Sequence, residues 1–486
     1  MNLKSAWSRR SFLSGLSAMS AFGGSLFAPS EASAKAKKSK NASNVDGNPI
    51  VPITKGLGST GNIYAELGVK PIININGTVT VIGGSVMAPE VMELMRLGNQ
   101  HFCMIDDLEV AAGKFIAKLC KSPAGYTGLV TGGAAAALVV GYAGMMTGDS
   151  EPRIRQIPYV RDFPKTEVII QKAHRYPFDH QIRQTGAVLV EVETKEQMIN
   201  AINPKTLAIH YLNIQSDRGQ VTGQETIEIA KAHGLYTYND AAADVPPVER
   251  LWTYPAQGWD MVTWSGGKDI KGPQATGLLI GKEELMRYAL LNMSPQEDRI
   301  GRPCKVGKEA IFAFLKALEM FVNQDYDETL AKYDSRAKTV TDAIAKFGVT
   351  ALPRQYNPEA LGNVTPHYSW QIPATLNITG QEVMQQLADT EPVGIGSLGA
   401  GASGMRGQWP QGMSDGSNVD EGVNKSFEGA AQEPAENGGR GGRGGRGSRG
   451  NRDPHTFGFA VWQIKDGEDK IIADRLVEIF SKAPKA

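Results

Sequence analysis

Apolar residues along the central part of the chain occur in short runs that alternate with segments of helical spacing. Short runs rich in β-branched residues predict buried strands, whereas apolar residues three or four positions apart predict helices. The strand candidates are Gly128–Thr131, Glu167–Gln171, Ala187–Val192, Thr206–Tyr211, Tyr236–Asn239, Met261–Trp264 and Ala275–Ile280. Because helices fall between most of these strands, we expect an α/β fold with a mostly parallel sheet covered on both faces.

Further patterns on either side of this centre complete the predicted architecture. They are a strand at Lys70–Asn76 and helices at Ala88–Gln100, Leu108–Leu119, Glu309–Asn323, Glu328–Phe347 and Asp466–Ala483. After the two helices that follow Lys305, Val349–Leu398 and Phe457–Ala486 indicate a small α+β unit, which the amphipathic helix Asp466–Ala483 closes. We therefore predict a large domain over residues 62–304 and a small C-terminal domain over residues 305–398 and 454–486.

The first 34 residues have the three parts of a bacterial export signal. Arg9-Arg10-Ser11-Phe12-Leu13 precedes a mildly apolar stretch, and Ala32-Ser33-Ala34 predicts a cleavage site near Ala34. The paired arginines resemble the twin-arginine signal, which implies export of a folded protein through the twin-arginine translocon to the periplasm. We expect residues 1–34 to be removed and residues 35–61 to act as a linker. No later segment has eighteen consecutive apolar residues, so we predict no integral membrane segment in the mature chain.

Residues 399–453 differ in composition from the sequence around them. Gly, Ser, Asn, Glu and Pro dominate, and Arg-Gly repeats run from Gly438 to Gly450. Such a composition buries too little apolar surface to offset the entropy of ordering, so we predict a disordered insertion. Arg-Gly segments can bind single-stranded nucleic acid. For an exported protein we favour a solvated loop instead, and the two interpretations stay open.

Composition and charge limit the possible classes of function. The 486 residues carry 51 Lys+Arg and 51 Asp+Glu, so the formal net charge is zero. This balance argues against a nucleic-acid partner, because affinity for a phosphate backbone requires clustered basic charge. The three cysteines are too few for a disulfide framework and form no C-x-x-C pair. We predict no metal site.

Two segments of the α/β centre are candidates for ligand binding. Thr131-Gly132-Gly133-Ala134 joins a strand to an Ala-rich helix, whose free N–H groups would form an anion site that small residues let a phosphate approach. Tight packing of the helix on the sheet is the alternative explanation. Asp240 follows the strand Tyr236–Asn239, at the edge where open α/β sheets bind ligands. The alternative role for Asp240 is to cap the next helix.

A third segment, Ser265-Gly266-Gly267-Lys268, follows the strand Met261–Trp264. A lysine in a glycine loop between two buried strands is partly desolvated, which lowers its pKa and suits Schiff-base chemistry. Together, a phosphate cradle, a carboxylate for a pyridine nitrogen and a reactive lysine are what pyridoxal 5'-phosphate requires. The sequence therefore predicts a pyridoxal-phosphate enzyme.

The local strings around these residues resemble one branch of the fold-type-I pyridoxal-phosphate enzymes. The lysine loop, Ser265 to Gly277, is similar to that of the selenocysteine synthase family and of the D-glucosaminate-6-phosphate ammonia-lyase-like proteins. Further similar strings are Leu67–Pro71, Asn76–Thr78, Gly83–Ser85, Arg183–Ala187 and Gly301–Val306. The resemblance spans about Ile63 to Leu398 and resumes at Phe457. It implies a fold-type-I transferase fold, a small amino-acid-like substrate and a homo-oligomer, a dimer or larger.

The resemblance also implies roles for individual residues. Lys268 would carry the cofactor as a Schiff base and then move the α-proton, while Asp240 would keep the pyridine nitrogen protonated. The phosphate would be held by Thr131, Gly132, Gly133, Ala134 and Ser265, and the ring would stack on His174. The predicted substrate-binding residues are Asn76, Arg302 and Lys305. The implied reaction is β-elimination or replacement after loss of the α-proton.

Several points of the sequence leave alternatives open. Selenocysteine synthase has an N-terminal tRNA-binding domain, whereas the corresponding residues here are predicted to be a signal and a linker, so we do not expect a tRNA substrate. Lys271, where the family has a small or apolar residue, is a second candidate for the Schiff-base lysine. Ser265-x-x-Lys268 also matches the S-x-x-K string of β-lactamase-like serine acyl-transferases, although Gly266-Gly267 opposes the helix which that class requires. A non-catalytic binding protein with the same fold is a further alternative.

Overall fold

The computed structural model describes residues 53–362, 364–396 and 453–485. The predicted signal peptide, the linker as far as residue 52 and the insertion between residues 399 and 452 lie outside the described residues. The chain divides into two compact units, Met1–Leu67 and Gly68–Ala486. In the first unit, Asn62 caps a short helix by accepting a hydrogen bond from the Ala65 amide at 3.1 Å. Apart from this short helix, the later description concerns the second unit.

Helices are spread along the whole described chain, and 3-10 turns link several of them. The α-helices are α1 (Ile63–Glu66), α2 (Pro89–Gly98), α3 (Ile105–Leu119), α4 (Ala134–Thr147), α5 (Glu151–Gln156), α6 (His180–Gln184), α7 (Lys195–Asn200), α8 (Gly223–Ala232), α9 (Arg250–Gln257), α10 (Glu283–Leu291), α11 (Lys308–Asn323), α12 (Tyr326–Ile344), α13 (Gly380–Ala388) and α14 (Glu468–Lys482). The predicted helices are all present, with ends that differ by a few residues.

The strands form three sheets within the described residues. They are β1 (Ile72–Ile73), β2 (Tyr126–Thr131), β3 (Glu167–Gln171), β4 (Val188–Val192), β5 (Thr206–Leu212), β6 (Tyr236–Asp240), β7 (Met261–Ser265), β8 (Gly277–Lys282), β9 (Thr350–Ala351), β10 (Tyr368–Gln371), β11 (Gly394–Ile395) and β12 (Thr456–Phe459). Seven strands form the main sheet, in the order β2-β8-β7-β6-β5-β3-β4. The predicted strand at Lys70–Asn76 is shorter than expected, because only Ile72 and Ile73 pair with a neighbour.

The main sheet is mostly parallel, as predicted, with one exception. Strand β8 pairs antiparallel with both β2 and β7, whereas the pairs from β7 to β4 are parallel. The segment between β7 and β8 is therefore a loop at one edge of the sheet rather than a crossover helix. This loop is the one that contains Lys268.

Burial explains why the sheet has the sequence it has. All seven residues of β5 are buried, and α4 is buried from Ala136 to Thr147. A helix that is apolar on all sides lies inside a protein rather than on its surface. Helix α4 thus crosses the interior directly behind the predicted phosphate cradle, which fixes the position of its N-terminus.

The C-terminal residues have their own apolar core. It contains side chains from β10, β12, α12, α13 and α14, together with Ile73 and Ile75 from the N-terminal part of the unit. Strand β1 pairs in parallel with β11, which lies more than three hundred positions later in the chain. The division into a large and a small domain at residue 304 stays a prediction. None of the described helices is long and apolar enough to cross a membrane.

Candidate active site

Three predicted site residues lie at the carboxyl ends of neighbouring strands. Thr131 ends β2 and Ser265 ends β7, and both are in register with Gly277 of β8, the strand between them. Asp240 ends β6, the next strand along, where it is in register with Thr263. Adjacent strands are about 4.8 Å apart, so Thr131 and Ser265 are separated by roughly 10 Å across the sheet edge.

The loop between β2 and α4 is shaped to take an anion. Gly133 has a φ of 108°, which only glycine adopts without strain, and Thr131 Oγ1 donates to the Gly133 carbonyl at 3.0 Å. A Cβ on Gly277 would lie 2.4 Å from the Gly133 carbonyl carbon and 2.7 Å from the Ala134 amide. The loop therefore rests directly on the sheet. The first amides of α4 have no partner within the helix, so they point outward as free donors.

Asp240 is a buried carboxylate held by two donors. Tyr176 Oη donates a short hydrogen bond to Asp240 Oδ2, and the Ala242 amide donates to Oδ1 at 3.0 Å. Burial raises the pKa of Asp240 above its ordinary value, while the Tyr176 and Ala242 hydrogen bonds and the charge of Lys268 oppose that rise. The amine of Lys268 is thus close enough to Asp240 to act on its ionisation.

A chain of aromatic residues leads away from Asp240, of which Tyr176 is half-buried and His210 and Tyr142 are buried. Tyr176 Oη lies 3.3 Å from His210 Nε2, and His210 Nδ1 lies 2.9 Å from Tyr142 Oη. The rings of Tyr176 and His210 are stacked, with centroids 5.8 Å apart. Burial lowers the pKa of His210 to about 3, so the imidazole is neutral. One of its ring nitrogens therefore carries a proton and donates, and the other accepts. The His210 imidazole therefore orients the Tyr176 hydroxyl, which donates to Asp240.

These aromatic residues were missed by the sequence prediction. Tyr142, Tyr176 and His210 lie on a helix, a loop and a strand that are far apart in sequence, and no spacing pattern connects them. Tyr176 follows His174 by two positions, in the segment from which a ring-stacking residue was predicted. His210 lies within the fully buried β5, and a histidine at the centre of an apolar strand was the available signal.

The lysine loop is tightly folded between β7 and β8. The Gly266 amide donates to the Thr276 carbonyl at 2.8 Å, and the Gly272 amide donates back to the Gly266 carbonyl at 2.9 Å. A Cβ on Gly266 would lie 2.4 Å from Thr276 Oγ1, so a larger residue there would displace the loop. Residues 266–276 form turns and no helix. The helix that the S-x-x-K alternative requires is thus absent from this fully described loop.

The two candidate lysines point to different surroundings. Lys268 is half-buried, and its charge acts on Asp240. Lys271 instead lines a cavity against α11 and α12, where its neighbouring charges are Asp269 and Arg336. Of the two amines, the one that acts on the carboxylate at the sheet edge is Lys268.

The remaining predicted residues lie around this centre at varying distances. Asn76 belongs to a loop that packs on the lysine loop, because Asn74 Nδ2 donates to the Gly77 carbonyl at 3.0 Å and Ser85 Oγ donates to the Gly267 carbonyl at 3.0 Å. A Cβ on Gly132 would lie 2.7 Å from the Cys304 carbonyl, so the cradle touches the 3-10 turn Arg302–Cys304.

Arg302, Lys305 and His174 are less directly placed. Arg302 Nη1 donates to Ser294 Oγ at 3.2 Å, and Lys305 is exposed. The His174 ring is 0% exposed, packs edge-on against Tyr211 with centroids 4.6 Å apart, and accepts a hydrogen bond from the Leu212 amide at 3.3 Å. Neither face of His174 is open in this arrangement, so its stacking role stays a prediction, as do the roles of Arg302 and Lys305.

The arrangement fits a phosphorylated aromatic cofactor. A glycine-lined helix start, a buried carboxylate and a lysine amine meet at one edge of the sheet, and the cradle lies so close to Gly277 that a single methyl group would displace it. No cluster of His, Cys, Asp and Glu that could hold a metal ion occurs among residues 53–362, 364–396 and 453–485. The donor set therefore fits pyridoxal phosphate, which Lys268, Asp240 and the residues from Thr131 to Ala134 would hold.

Comparisons with known proteins agree with this arrangement. No family model matches the chain. The chain is 29% identical over 293 residues to "D-glucosaminate-6-phosphate ammonia lyase" of Salmonella typhimurium, a match that covers 58% of this chain and 76% of the relative. It is 27% identical over 306 residues to "5'-C-glycyluridine monooxygenase-decarboxylase" of a Streptomyces species, which covers 60% of this chain and 73% of the relative.

A third relative and a solved structure complete the picture. The chain is 28% identical over 278 residues to "L-seryl-tRNA(Sec) selenium transferase" of Serratia proteamaculans, a match that covers 52% of this chain and 56% of the relative. The solved structure of D-glucosaminate-6-phosphate ammonia-lyase superposes with a TM-score of 0.65 and 24% identity, over 87% of this chain and 99% of that one. The predicted resemblance and the predicted fold class are both confirmed.

Proposed function

We propose that this chain, a homologue of D-glucosaminate-6-phosphate ammonia-lyase and of selenocysteine synthase with a fold-type-I architecture, is a pyridoxal-phosphate-dependent enzyme acting on an amino-acid-like substrate. The observation that carries the proposal is that the buried carboxyl of Asp240, the loop from Ser265 to Lys268 and the glycine cradle all lie at one edge of the sheet. The names of the relatives support the same class of reaction.

When bound, pyridoxal phosphate supplies an electron sink that stabilises negative charge at the substrate α-carbon. The chain's own residues then have distinct tasks. Free amides at the start of α4 bind the phosphate, and Asp240 holds a proton on the ring nitrogen through a buried charge-assisted hydrogen bond. Lys268 Nζ moves the α-proton of the substrate as a general base. Tyr176 fixes the orientation of Asp240.

The direction of the reaction after proton removal is also part of the proposal. Elimination or replacement of a group at the β-carbon is supported by relatives named as an ammonia lyase and as a selenium transferase. A tRNA-bound substrate is not proposed, because the chain matches only 56% of the selenium transferase from Serratia proteamaculans.

Borohydride trapping tests the cofactor assignment. The purified protein should absorb in the visible range, lose that absorption on reduction, and carry a reduced pyridoxyl group on the tryptic peptide that contains Lys268. Lys268→Ala should abolish the label, whereas the matched variant Lys271→Ala should keep it. A label on Lys271, or a wild-type protein that takes up no cofactor, would contradict the proposal.

A non-catalytic binding protein with this fold is the competing hypothesis. Adding amino acids to the holoprotein distinguishes the two hypotheses. In an enzyme, a substrate amino acid would react at the cofactor and change its visible spectrum. A spectrum that stays unchanged with a broad panel of amino acids and amino-sugar acids would favour the binding protein.

Export and assembly are further parts of the proposal. Arg9-Arg10 and the cleavage site near Ala34 support passage through the twin-arginine translocon to the periplasm. An Arg9→Lys/Arg10→Lys double variant should retain the uncleaved precursor in the cytoplasm, and unchanged secretion would count against export. Sedimentation of the mature protein should give a dimer or larger, and a monomeric holoenzyme with full activity would refute the assembly.

A further inference from the structure

Lys271 lies in a cavity that contains none of the residues proposed to bind the cofactor. The cavity has a volume of about 310 Å³ and lies between the lysine loop and helices α11 and α12. The charged residues that line it are Lys271, Lys332, Arg336 and Asp269. Three cationic side chains thus face one carboxylate within a space large enough for a small organic molecule.

The backbone holds Lys271 in an unusual conformation. Its φ is 57°, in the left-handed region that a side chain with a Cβ rarely adopts. The Lys271 amide donates to the Lys268 carbonyl at 3.0 Å, which closes a turn between the two lysines. Strained residues of this kind persist where the surrounding structure fixes them, and they cluster at functional sites.

The charge of Lys271 is poorly compensated. No acceptor lies within hydrogen-bond or ion-pair distance of Lys271 Nζ among the residues that the structure describes. Burial and the nearby Arg336 lower its pKa, and only Asp269 opposes them. The other two cations have partners, because Lys332 pairs with Glu328 at 2.8 Å and Arg336 with Asp466 at 2.9 Å.

The rest of the lining provides donors and an apolar wall. Tyr326 and Tyr333 border the cavity, and burial raises the pKa of both phenols, so both hydroxyls stay protonated and can donate. Ala317, Met320 and Phe321 of α11 form an apolar side. A ligand that matches this lining carries an oxyanion at one end and an apolar body at the other.

We propose that this cavity is a second ligand site, which binds the oxyanion group of a small organic molecule with Lys271 as the main cationic ligand. The acidic partners of Lys332 and Arg336 are open to solvent, since the side chains of Glu328 and Asp466 are 64% and 102% exposed. Both cations can therefore turn toward a bound anion at little cost. The site does not depend on the proposed reaction, because no residue of the cofactor site lines it.

Calorimetric titration of the cofactor-loaded protein with phenyl phosphate tests this site. Loading occupies the phosphate cradle, so the heat reports other anion sites. Lys271→Gly removes the amine and relieves the backbone strain, so the variant should fold. Its Kd should rise about tenfold, which is the usual effect of losing a charge-assisted hydrogen bond. Lys195→Ala, an exposed lysine on α7, is the control and should leave the Kd unchanged.

Two comparisons make the result decisive. Phenol, which lacks the oxyanion, should not bind, and Lys332→Gln should weaken phenyl phosphate about twofold to fivefold. An equal Kd in the wild type and Lys271→Gly, or no heat from the wild type at about 10 mM ligand, would overturn the site. If Lys271→Gly does not fold, the Kd of Lys332→Gln for phenyl phosphate is the deciding measurement, and a Kd equal to that of the wild type would overturn the site.

A competition experiment then identifies the source of the anion. If phenyl phosphate prevents the spectral response of the holoprotein to an amino acid such as L-serine, the anion belongs to the tail of the substrate. If both bind together, the site takes a separate molecule. The calorimetric result is independent of the proposed function, because it stands even where no amino acid changes the spectrum.

Discussion

At the scale of single residues, the ionisation of Asp240 depends on a balance of opposing contacts. Burial favours the neutral acid, whereas the Tyr176 hydroxyl, the Ala242 amide and the Lys268 charge favour the carboxylate. Because Asp240 must be ionised to hold a proton on a pyridine nitrogen, each donor contributes to function without touching substrate. Tyr176 is the side-chain donor in this set, and His210 orients it.

Replacing Tyr176 with phenylalanine should therefore change the pH dependence of the enzyme. Loss of the donor raises the pKa of Asp240 further, so the carboxyl is protonated at a higher pH and the acidic limb of kcat/KM moves upward. Loss of a hydrogen bond to a charged group costs about 1.5–3 kcal/mol, which corresponds to a fall in kcat/KM of roughly tenfold or more on that acidic limb. The measurements are the pH profile of kcat/KM and a pH titration of the visible spectrum.

The control for this substitution is Tyr159→Phe, which removes a hydroxyl from a side chain that is 79% exposed. It should leave both the spectrum and the pH profile unchanged. If Tyr176→Phe lowers activity equally at every pH, with no shift of the spectral titration, then Tyr176 is only a packing residue.

At the scale of elements, helix α3 supports the edge strand that leads into the cradle. A Cβ on Gly113 would lie 2.4 Å from the Gly128 carbonyl, so α3 lies directly on β2. The Val130 amide donates to Glu109 Oε2 at 3.1 Å, one residue before Thr131. Glu109 is buried, and burial raises its pKa to about 8. An acid is thus kept next to the cradle in its neutral form at neutral pH.

Glu109 should make the protein less stable as the pH rises. Its pKa is raised in the folded state, so the folded protein binds more protons than the unfolded chain between about pH 4.5 and 8, and stability falls across that window. Glu109→Gln should remove this decline, by an amount of the order of a few kcal/mol. The measurement is the urea unfolding free energy of both proteins at the two ends of this window. An identical pH slope in both would contradict the assignment.

The sequence predicted where the strands and the lysine loop lie along the chain better than how they are arranged in space. The β-branched runs located every strand of the main sheet, and Gly266-Gly267 with Lys268 located the loop. The direction of β8 was not predictable, because an apolar run has no preferred direction and the lysine loop contains no crossover helix. Tyr176 and His210 were not predictable as a pair, because their contact forms only when β3, which leads to Tyr176, lies beside β5.

At the scale of the whole molecule, buried histidines limit stability on the acidic side. His174 and His210 are both buried, and burial lowers their pKa values to about 4 and about 3. His210 belongs to β5, an inner strand of the main sheet, and His174 accepts a hydrogen bond from the Leu212 amide at the end of that strand. Charging either ring requires local opening of the sheet that carries the site. Acid therefore weakens the fold at its centre rather than at its surface.

Stability should accordingly fall as the pH drops from about 6.5 towards 4. In that window the unfolded chain binds protons on these histidines that the folded protein does not bind. Thermal unfolding at several pH values should show the midpoint decreasing with acidity, and His210→Gln should reduce the slope. His233→Gln, at the exposed end of α8, should leave it unchanged. Equal slopes in all three proteins would assign the acid sensitivity to other groups.

The pairing of β1 with β11 has a consequence for how the chain is made. Ile73 and Ile75 leave the ribosome early, yet their packing partners between Tyr333 and Phe480 emerge only near the end of translation. These apolar side chains stay unpacked in the nascent chain until their partners have been synthesised. This core is therefore completed after synthesis rather than during it. Since the adjoining loop from Asn74 to Ser85 packs on the lysine loop, we expect the enzyme to become competent only after its last helix has been released.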